Sequence, residues 1–173
     1  MNETTIASTR PAFGLKLIKQ KPLKALGVGF LLLLRLLFGI FFAGATFNKV
    51  QRDYMFSDYP LDLFTKRLSE IDPSSLQAQY LEGFIIPNSQ FVGWVVTWGE
   101  GAVAIGLLLG LMTRSAGLVA IFLMVNFGLG GFYDASLIPL NLIALLFVIF
   151  PTGHWWGLDR RLHQRYPDNW LFK

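Results

Sequence analysis

Four long apolar stretches that carry almost no charge constrain this chain more than any other feature. They are residues 25–47, 91–112, 116–133 and 137–155. A helix needs roughly 20 apolar residues to cross a bilayer core of about 30 Å, and the first two stretches meet that length easily. The third nearly does, and the fourth does if its aromatic end is counted. Only 15% of the chain is charged, against about a quarter in soluble domains. We therefore predict an all-α integral membrane protein.

The connections between these stretches predict how the helices are arranged. Residues 113–115 and 134–136 are long enough only for tight turns, so the helices on either side must be antiparallel. The one long connection is residues 48–90, where apolar residues recur at helical spacing over 60–71 and 73–85. We therefore predict an antiparallel four-helix bundle with two short surface helices in the first external loop.

The distribution of lysine and arginine predicts the orientation of the helices. Five basic residues lie before the first stretch, one in the turn between the second and third stretches, and four after the last. Basic residues accumulate on the cytoplasmic side of a membrane. We therefore predict a cytoplasmic basic segment at 1–24 and a four-helix transmembrane domain at 25–156 with its external loop at 48–90. A cytoplasmic basic tail follows at 157–173, so both termini are cytoplasmic.

Composition excludes several classes of function. The net charge of +4 follows the topology pattern, so we expect the lipid bilayer, and not nucleic acid, as a partner. The chain has no cysteine, which excludes thiol chemistry, disulfides and thiolate-bound clusters within it. His154 and His163 lie near the C-terminus, where we expect interface residues; we predict no metal site, because a metal needs more ligands close by.

Glu100 and Arg35 are charged residues inside apolar stretches, where each costs on the order of 2.5–3.5 kcal/mol on insertion scales. Counted from the cytoplasmic helix ends at about 1.5 Å per residue, Arg35 lies roughly 15 Å deep and Glu100 roughly 18 Å deep. Asn126 and Asn141 come out at similar depths, close to the bilayer midplane. We therefore predict an ion pair between Arg35 and Glu100 inside the bundle, with the two asparagines completing its hydrogen bonds.

Two interpretations of this polar level remain open. The side chains either fix the register of the helices through hydrogen bonds, or form a site for protons or a ligand. On the second interpretation Arg35 and Glu100 are the catalytic candidates, and Asn126 and Asn141 contact the ligand.

The outer end of the first helix carries a second group of candidates. Lys49 lies there beside Asn48, with Arg52 close by. A lysine at this position either extends to the membrane interface or marks a mouth that attracts anions. The sequence is consistent with both interpretations. On the second one, Asn48, Lys49 and Arg52 are candidate substrate-binding residues.

Three segments of the chain resemble the DoxX/DoxD family of small four-helix membrane proteins. They are "LLRLLFGIFFAGATFNK", which contains Arg35 and Lys49, "EGAVAIGLLLGLMTRSAG", which begins at Glu100, and "GLDRRL", which begins at Gly157. The resemblance spans roughly residues 30–162 and depends on the order and spacing of the three motifs together. It implies a four-helix membrane fold.

The resemblance also implies a reaction. The family's best-understood member is the membrane subunit of a thiosulfate:quinone oxidoreductase, in which thiosulfate electrons pass to the quinone pool. We therefore expect a quinone-linked subunit of a bacterial or archaeal inner membrane, in which Arg35, Glu100 and Asn141 hold the quinone head group. Lys49 and Arg52 would attract an anionic donor. Because the chain has no redox group of its own, the expected cofactor is a bound quinone and a second subunit is an expected partner.

Two other functions fit the sequence. The first is a non-enzymatic scaffold or assembly factor of a larger membrane complex, for which surface helices and a basic tail are docking surfaces. The second is a transporter of protons or small solutes, which fits the charges near the midplane but lacks the inverted repeat usual in transporters. Bound quinone in the purified protein would distinguish the oxidoreductase subunit from both.

Overall fold

The structure, a computed structural model, describes residues 14–166 and residue 169. The regular secondary structure of these residues is entirely helical, which confirms the all-α prediction. The helices in chain order are α1 (Leu15–Gln20), α2 (Pro22–Gln51), α3 (Tyr59–Glu70), α4 (Leu76–Tyr80, continued by a π-helical turn at Leu81–Ile85), α5 (Ser89–Leu109), α6 (Thr113–Leu129), α7 (Leu137–Ile149), α8 (Thr152–Trp155) and α9 (Leu158–Arg165).

The four apolar stretches form the four longest apolar helices. By length and composition, α2 and α5 can each cross a membrane, whereas α6 and α7 are apolar but only 17 and 13 residues long. The fourth helix is shorter than predicted because Pro151 lacks an N–H and disfavours a helical conformation at Phe150, which is extended. The aromatic end of that stretch forms the separate helix α8.

Close contacts at glycines fix how α2 packs on α5. A Cβ added to Gly39 of α2 would lie 2.9 Å from the Leu108 side chain, and one added to Gly101 of α5 would lie 3.6 Å from the Thr46 side chain. The residue numbers at these contacts increase along α2 while they decrease along α5, so the two helices are antiparallel. Replacing Gly39 by a larger residue would require Leu108 to move.

Small residues also bring α6 against its neighbours. A Cβ on Gly106 of α5 would lie 2.9 Å from the Ala116 Cβ of α6, and one on Gly99 would lie 3.2 Å from Leu123. On the other face of α6, a Cβ on Gly117 would lie 3.0 Å from a carbonyl oxygen of α7. Helix α7 in turn contacts α2, so the four long helices share one apolar core.

Aromatic rings fill the centre of that core. The Phe38 ring lies 5.2 Å from the Phe42 ring on α2 and 5.5 Å from the Phe147 ring on α7, as measured between ring centroids. All three side chains are buried. Tilted and edge-on ring pairs at this distance add stabilisation beyond the apolar area they bury.

Large apolar side chains cover the outer faces of the four long helices. Leu37 on α2, Trp98 on α5, Leu118 on α6 and Leu142 on α7 are each more than half exposed. Apolar surface of this extent is typical of a face that contacts lipid or another protein.

Helices α3 and α4 lie in the long connection, at the positions where the sequence predicts helices. Proline occupies the first turn of α3, and the Ser75 hydroxyl accepts a hydrogen bond from the Ala78 N–H at the start of α4. Phe64 of α3 packs with Leu81 and Ile85 of the π-helical turn in a small core of its own. Helix α3 contacts α5, and α4 contacts α6.

Helix α1 packs on α2 and α8 at the opposite end of the molecule. Within the predicted basic segment 1–24, residues 1–13 lie outside the described residues, and α1 follows them. Leu17 of α1 packs with Val28 and Leu32 of α2 and with Trp155 of α8. The first half of the predicted tail at 157–173 contains α9; the last residues of the tail, apart from residue 169, lie outside the described part.

Arg35 anchors α8 to the long helices. Its side chain is fully buried, and its Nη1 and Nη2 atoms donate hydrogen bonds of 2.8 and 2.7 Å to the carbonyl oxygens of Thr152 and Trp156. These carbonyls lie at the two ends of α8, and the Thr152 carbonyl also accepts the 3.3 Å hydrogen bond from the Trp156 N–H that closes this short helix. The guanidinium group can hold both because its donors form a planar fork.

Asp159 anchors α9 to the turn between α5 and α6. Its carboxylate accepts hydrogen bonds from the Thr113 N–H at 3.1 Å and the Thr113 hydroxyl at 3.0 Å, and from the Met112 N–H. The first turn of α6 has free N–H groups, so this carboxylate caps the helix from another part of the chain. The backbone N–H of Asp159 donates a hydrogen bond of 2.9 Å to the Gly110 carbonyl. We call the Arg35 and Asp159 hydrogen bonds together the clasp.

Gly110 permits the close approach on which the clasp depends. Its φ of 62° is left-handed, and a Cβ on it would lie 2.7 Å from the Gly157 Cα. Gly110→Ala should therefore lower the free energy of unfolding by about 2–3 kcal/mol, through the left-handed backbone and the backbone clash. Gly44→Ala is the matched control, since nothing lies within 4 Å of its added Cβ; it should be neutral or stabilising by up to about 1 kcal/mol. Unfolding in mixed micelles measures both, and equal effects would contradict this role of Gly110.

Candidate functional site

A cavity of about 540 Å³ lies beneath α3 and α4, among the adjoining ends of α2, α5, α6 and α7. Its wall is largely apolar and includes seven phenylalanines. Its polar side chains come from α2 and the segment after it, from α3 and α4, and from α6 and the segment after it: Asn48, Lys49, Arg52, Tyr54, Tyr59, Tyr80, Asn126, Asp134 and Ser136.

The innermost charged group of this cavity is an ion pair between Lys49 and Glu100. The Lys49 Nζ lies 2.8 Å from the Glu100 Oε1, and the two side chains are 19% and 3% exposed. Lys49 lines the cavity, and Glu100 lies behind it on α5. The second carboxylate oxygen of Glu100 is buried and has no hydrogen-bond partner among the described residues. The ammonium group also lies 5.6 Å from the centroid of the Tyr54 ring and 5.9 Å from that of Phe127, as in cation–π pairs.

The predicted ion pair between Arg35 and Glu100 is therefore wrong. In the register of α2 and α5, Glu100 lies level with the residues just after Thr46, whereas Arg35 lies level with the turn that begins at Gly110. The two levels are about 12 residues or roughly 18 Å apart. The depth count assumed that α2 and α5 end at the same level, but α2 extends beyond α5 at the end that carries the clasp. Arg35 belongs to the clasp and does not line the cavity.

The two asparagines are separated as well. Asn126 lines the cavity, and its Oδ1 accepts a 2.7 Å hydrogen bond from the Tyr80 hydroxyl. This hydrogen bond connects α4 to α6. Asn141 does not line this cavity; its Nδ2 donates to the Leu137 carbonyl one turn earlier in α7. The prediction that both asparagines complete the hydrogen bonds of one ion pair is wrong, because neither touches Glu100.

The remaining candidates lie together at the outer end of α2. Asn48 and Arg52 both line the cavity with Lys49, as their positions in the sequence suggested. The Arg52 guanidinium donates to the Tyr59 hydroxyl and lies 5.5 Å from the centroid of the same ring. Four of the seven predicted site residues, Asn48, Lys49, Arg52 and Asn126, therefore line one cavity, and Glu100 joins them through its ion pair.

Sequence analysis missed three tyrosines of this cavity. Tyr54 is buried and its ring centroid lies 5.7 Å from that of Tyr59, and Tyr80 lines the cavity from α4. Burial, and next the charge of Glu100, raise the pKa of Tyr54; burial also raises the pKa of Tyr80. Both side chains remain protonated donors at physiological pH. No pattern marks them, because a tyrosine near a helix end is common at membrane interfaces.

One side of the cavity opens between α5 and α6. Phe91 of α5, Phe122 of α6 and Phe84 of the π-helical turn line the cavity and are also exposed on the outer surface. Gly99 of α5 contacts Leu123, the residue next to Phe122 on α6, so the gap ends at the level of Phe122. The cavity thus has a polar inner end at Lys49 and an apolar opening on its flank.

This arrangement suits an uncharged ring that carries hydrogen-bond acceptors. Phenylalanine and valine side chains contact its faces, while ammonium, hydroxyl and amide donors lie at the inner end. Within the described residues, no three histidine, aspartate or glutamate side chains converge in the way that a metal ion requires. The cavity volume is within the usual range for small-molecule sites.

Comparison with known proteins identifies the family. A family model described as DoxX matches residues 30–129, which run from within α2 to the end of α6 and include Arg35, Lys49 and Glu100. No curated protein and no solved structure matches the chain significantly. Because the match covers more than half of a chain whose long helices carry apolar outer faces, this protein belongs to the DoxX family of membrane proteins.

Proposed function

We propose that this protein is a membrane subunit of a quinone-linked oxidoreductase, and that its cavity binds the quinone head group. The observation that supports this most is the combination of the Lys49–Glu100 ion pair, whose carboxylate is buried, at one end of the cavity with an apolar opening on its flank. A quinone has the matching form, a flat ring with two carbonyl acceptors and a long apolar tail. The head would lie against Lys49, and the tail would pass between α5 and α6 into lipid.

The Lys49–Glu100 pair also supplies protons to the site. Reduction of a quinone to a quinol takes up two electrons and two protons, so a bound head group needs titratable side chains nearby. Glu100 has a buried carboxylate oxygen without a partner among the described residues, and Lys49 connects it to the cavity. The proposed proton-handling pair is thus Lys49 and Glu100, in place of Arg35 and Glu100.

The electrons come from outside the chain. It contains no cysteine and has no redox group of its own, so electrons pass from a donor directly or through a second subunit. Arg52 lies at the same end of α2 as the cavity, where it can attract an anionic donor such as thiosulfate. Thiosulfate is the donor suggested by the family resemblance.

The proposed function requires a definite placement in the membrane. We propose that α2, α5, α6 and α7 form a transmembrane antiparallel four-helix bundle, with α3 and α4 at the external surface. The clasp, the basic segment before α2 and the tail then lie on the cytoplasmic side of a bacterial or archaeal inner membrane. The imbalance of lysine and arginine between the two ends supports this orientation.

Quinone binding tests the proposal. The purified protein should contain quinone after extraction and chromatography, and the protein in quinone-free nanodiscs should bind added quinone saturably. Val95→Trp fills the opening between α5 and α6, so it should raise the Kd at least about tenfold, which is a loss of about 1.4 kcal/mol.

Ile105→Trp is the matched control, because Ile105 is exposed on the same helix and does not line the cavity. It should leave the Kd unchanged. A wild-type protein that neither contains nor binds quinone would contradict the proposal and favour the scaffold. Equal effects of the two tryptophans would contradict the opening between α5 and α6.

A further inference from the structure

Among the polar side chains that line the cavity and are not exposed, Tyr54 is the one whose polar group has no hydrogen-bond partner among the described residues. Lys49 is paired with Glu100, the Arg52 guanidinium donates to Tyr59, and the Tyr80 hydroxyl donates to Asn126. The Tyr54 side chain is 5% exposed and lines the same cavity, yet its hydroxyl makes no hydrogen bond to a described residue. Its oxygen is not among the fully buried atoms that lack a partner, so the hydroxyl reaches the cavity space, where an acceptor on a ligand can pair with it.

The end of α2 holds Tyr54 in place. The Tyr54 N–H donates to the Lys49 carbonyl at 3.0 Å and the Asp53 N–H donates to the Val50 carbonyl at 3.1 Å, with Asp53 at a left-handed φ of 51°. This is the hydrogen-bond pattern of a Schellman motif, which glycine usually forms. Asp53 adopts the conformation at some cost, and it turns the chain back over α2 so that the Tyr54 ring lies beside the Lys49 ammonium.

Helix α5 fixes the other side of the same residue. A Cβ on Gly93 would lie 2.8 Å from the Tyr54 carbonyl oxygen and 3.5 Å from its ring. The glycine therefore lets α5 approach Tyr54 directly, and the Tyr59 ring packs against it from α3. These contacts hold the Tyr54 ring beside the Lys49 ammonium, and no charged group pairs with its hydroxyl.

We infer that the Tyr54 hydroxyl donates a hydrogen bond to a carbonyl oxygen of the bound head group and so sets its orientation in the cavity. This inference rests on the proposed quinone site and adds a residue to it that the sequence did not suggest. Lys49 then lies beside the same end of the quinone ring. The raised pKa of Tyr54 keeps the hydroxyl a donor throughout the physiological range. Tyr54 selects for ligands with an acceptor oxygen at that end.

The test is Tyr54→Phe in the full chain, in nanodiscs titrated with a short-tailed benzoquinone labelled with ¹³C at its carbonyls. Loss of one neutral hydrogen bond should raise the Kd about two- to tenfold. The infrared stretch of a labelled carbonyl should be lowered in the wild-type complex and should return towards the lipid value in the variant. Thermal unfolding should be unchanged, because the hydroxyl bonds to no described residue.

Tyr133→Phe is the matched control, since Tyr133 is exposed and does not line the cavity. It should change neither the Kd nor the carbonyl band. If the wild type binds and Tyr54→Phe leaves both quantities unchanged, the role of Tyr54 is wrong and the quinone site stands. If the wild type does not bind the benzoquinone, the quinone site and the role of Tyr54 are both wrong.

Discussion

Replacing Arg35 with leucine should lower the free energy of unfolding by about 3–5 kcal/mol, although Arg35 contacts no part of the proposed ligand site. The change removes the Arg35 donors from the carbonyls of Thr152 and Trp156, and the Thr152 carbonyl keeps only its longer hydrogen bond from the Trp156 N–H. It also removes the positive charge that interacts with the buried carboxylate of Asp159. Helix α8 then loses its attachment to α2. Equilibrium unfolding in mixed micelles measures the change.

Two further variants show whether this effect depends on the guanidinium geometry of Arg35 or on its charge alone. Arg35→Lys should recover only part of the stability, because one ammonium group cannot span two carbonyls as the planar guanidinium does. Arg161→Leu removes an exposed charge from α9 and should change stability by less than about 0.5 kcal/mol. Full stability of Arg35→Lys would show that charge alone is needed, which the geometry of the clasp contradicts.

The fold was largely predictable because its signals are local. Apolar length identified α2 and α5, turn length required antiparallel neighbours, and helical spacing located α3 and α4 within the long connection. The fourth helix was overestimated because aromatic residues after Pro151 were counted as part of it. The proline was visible in the sequence and should have carried more weight than the apolar character of the residues after it.

The residues of the candidate site were only partly predictable, and the pairing of its charges was not. Hydropathy showed that Arg35 and Glu100 need polar partners. Which residues become those partners depends on the axial offset between the two packed helices. That offset follows from contacts such as Gly39 with Leu108, which no composition or spacing reveals. An offset of about 12 residues moves Glu100 from Arg35 to Lys49, a residue already suspected for a different reason. Charges in apolar helices thus identify residues of interest more reliably than they identify pairs.

Some of the family motifs serve the fold and others the cavity. Arg35, Gly110, Gly157 and the aspartate of "GLDRRL" all meet in the clasp, whereas Lys49 and Glu100 meet below the cavity. Resemblance alone does not separate these two groups, because both are polar or small residues in apolar surroundings. Separate effects on stability and on ligand binding would separate them by experiment.

Lys49→Met should lower the free energy of unfolding by about 3–5 kcal/mol, because it leaves the Glu100 carboxylate buried without its partner. Glu100→Met should also destabilise the protein, since it leaves the ammonium group in apolar surroundings. The double variant should be close to the wild type, because well-packed apolar residues can replace a buried ion pair at little cost. Unfolding of all four proteins in mixed micelles gives the coupling energy, which we expect to reach at least about 2 kcal/mol.

The same cycle with Arg35 decides between the two pairings. Arg35→Leu and Glu100→Met should be additive within about 0.5 kcal/mol, because the two side chains lie far apart and share no partner. Additive effects of Lys49 and Glu100, or coupling between Arg35 and Glu100, would contradict the pairing seen here. The Lys49–Glu100 double variant also tests function in a folded protein. If the pair handles protons and the head group, this stable variant should no longer bind quinone; if it serves only the fold, binding should survive.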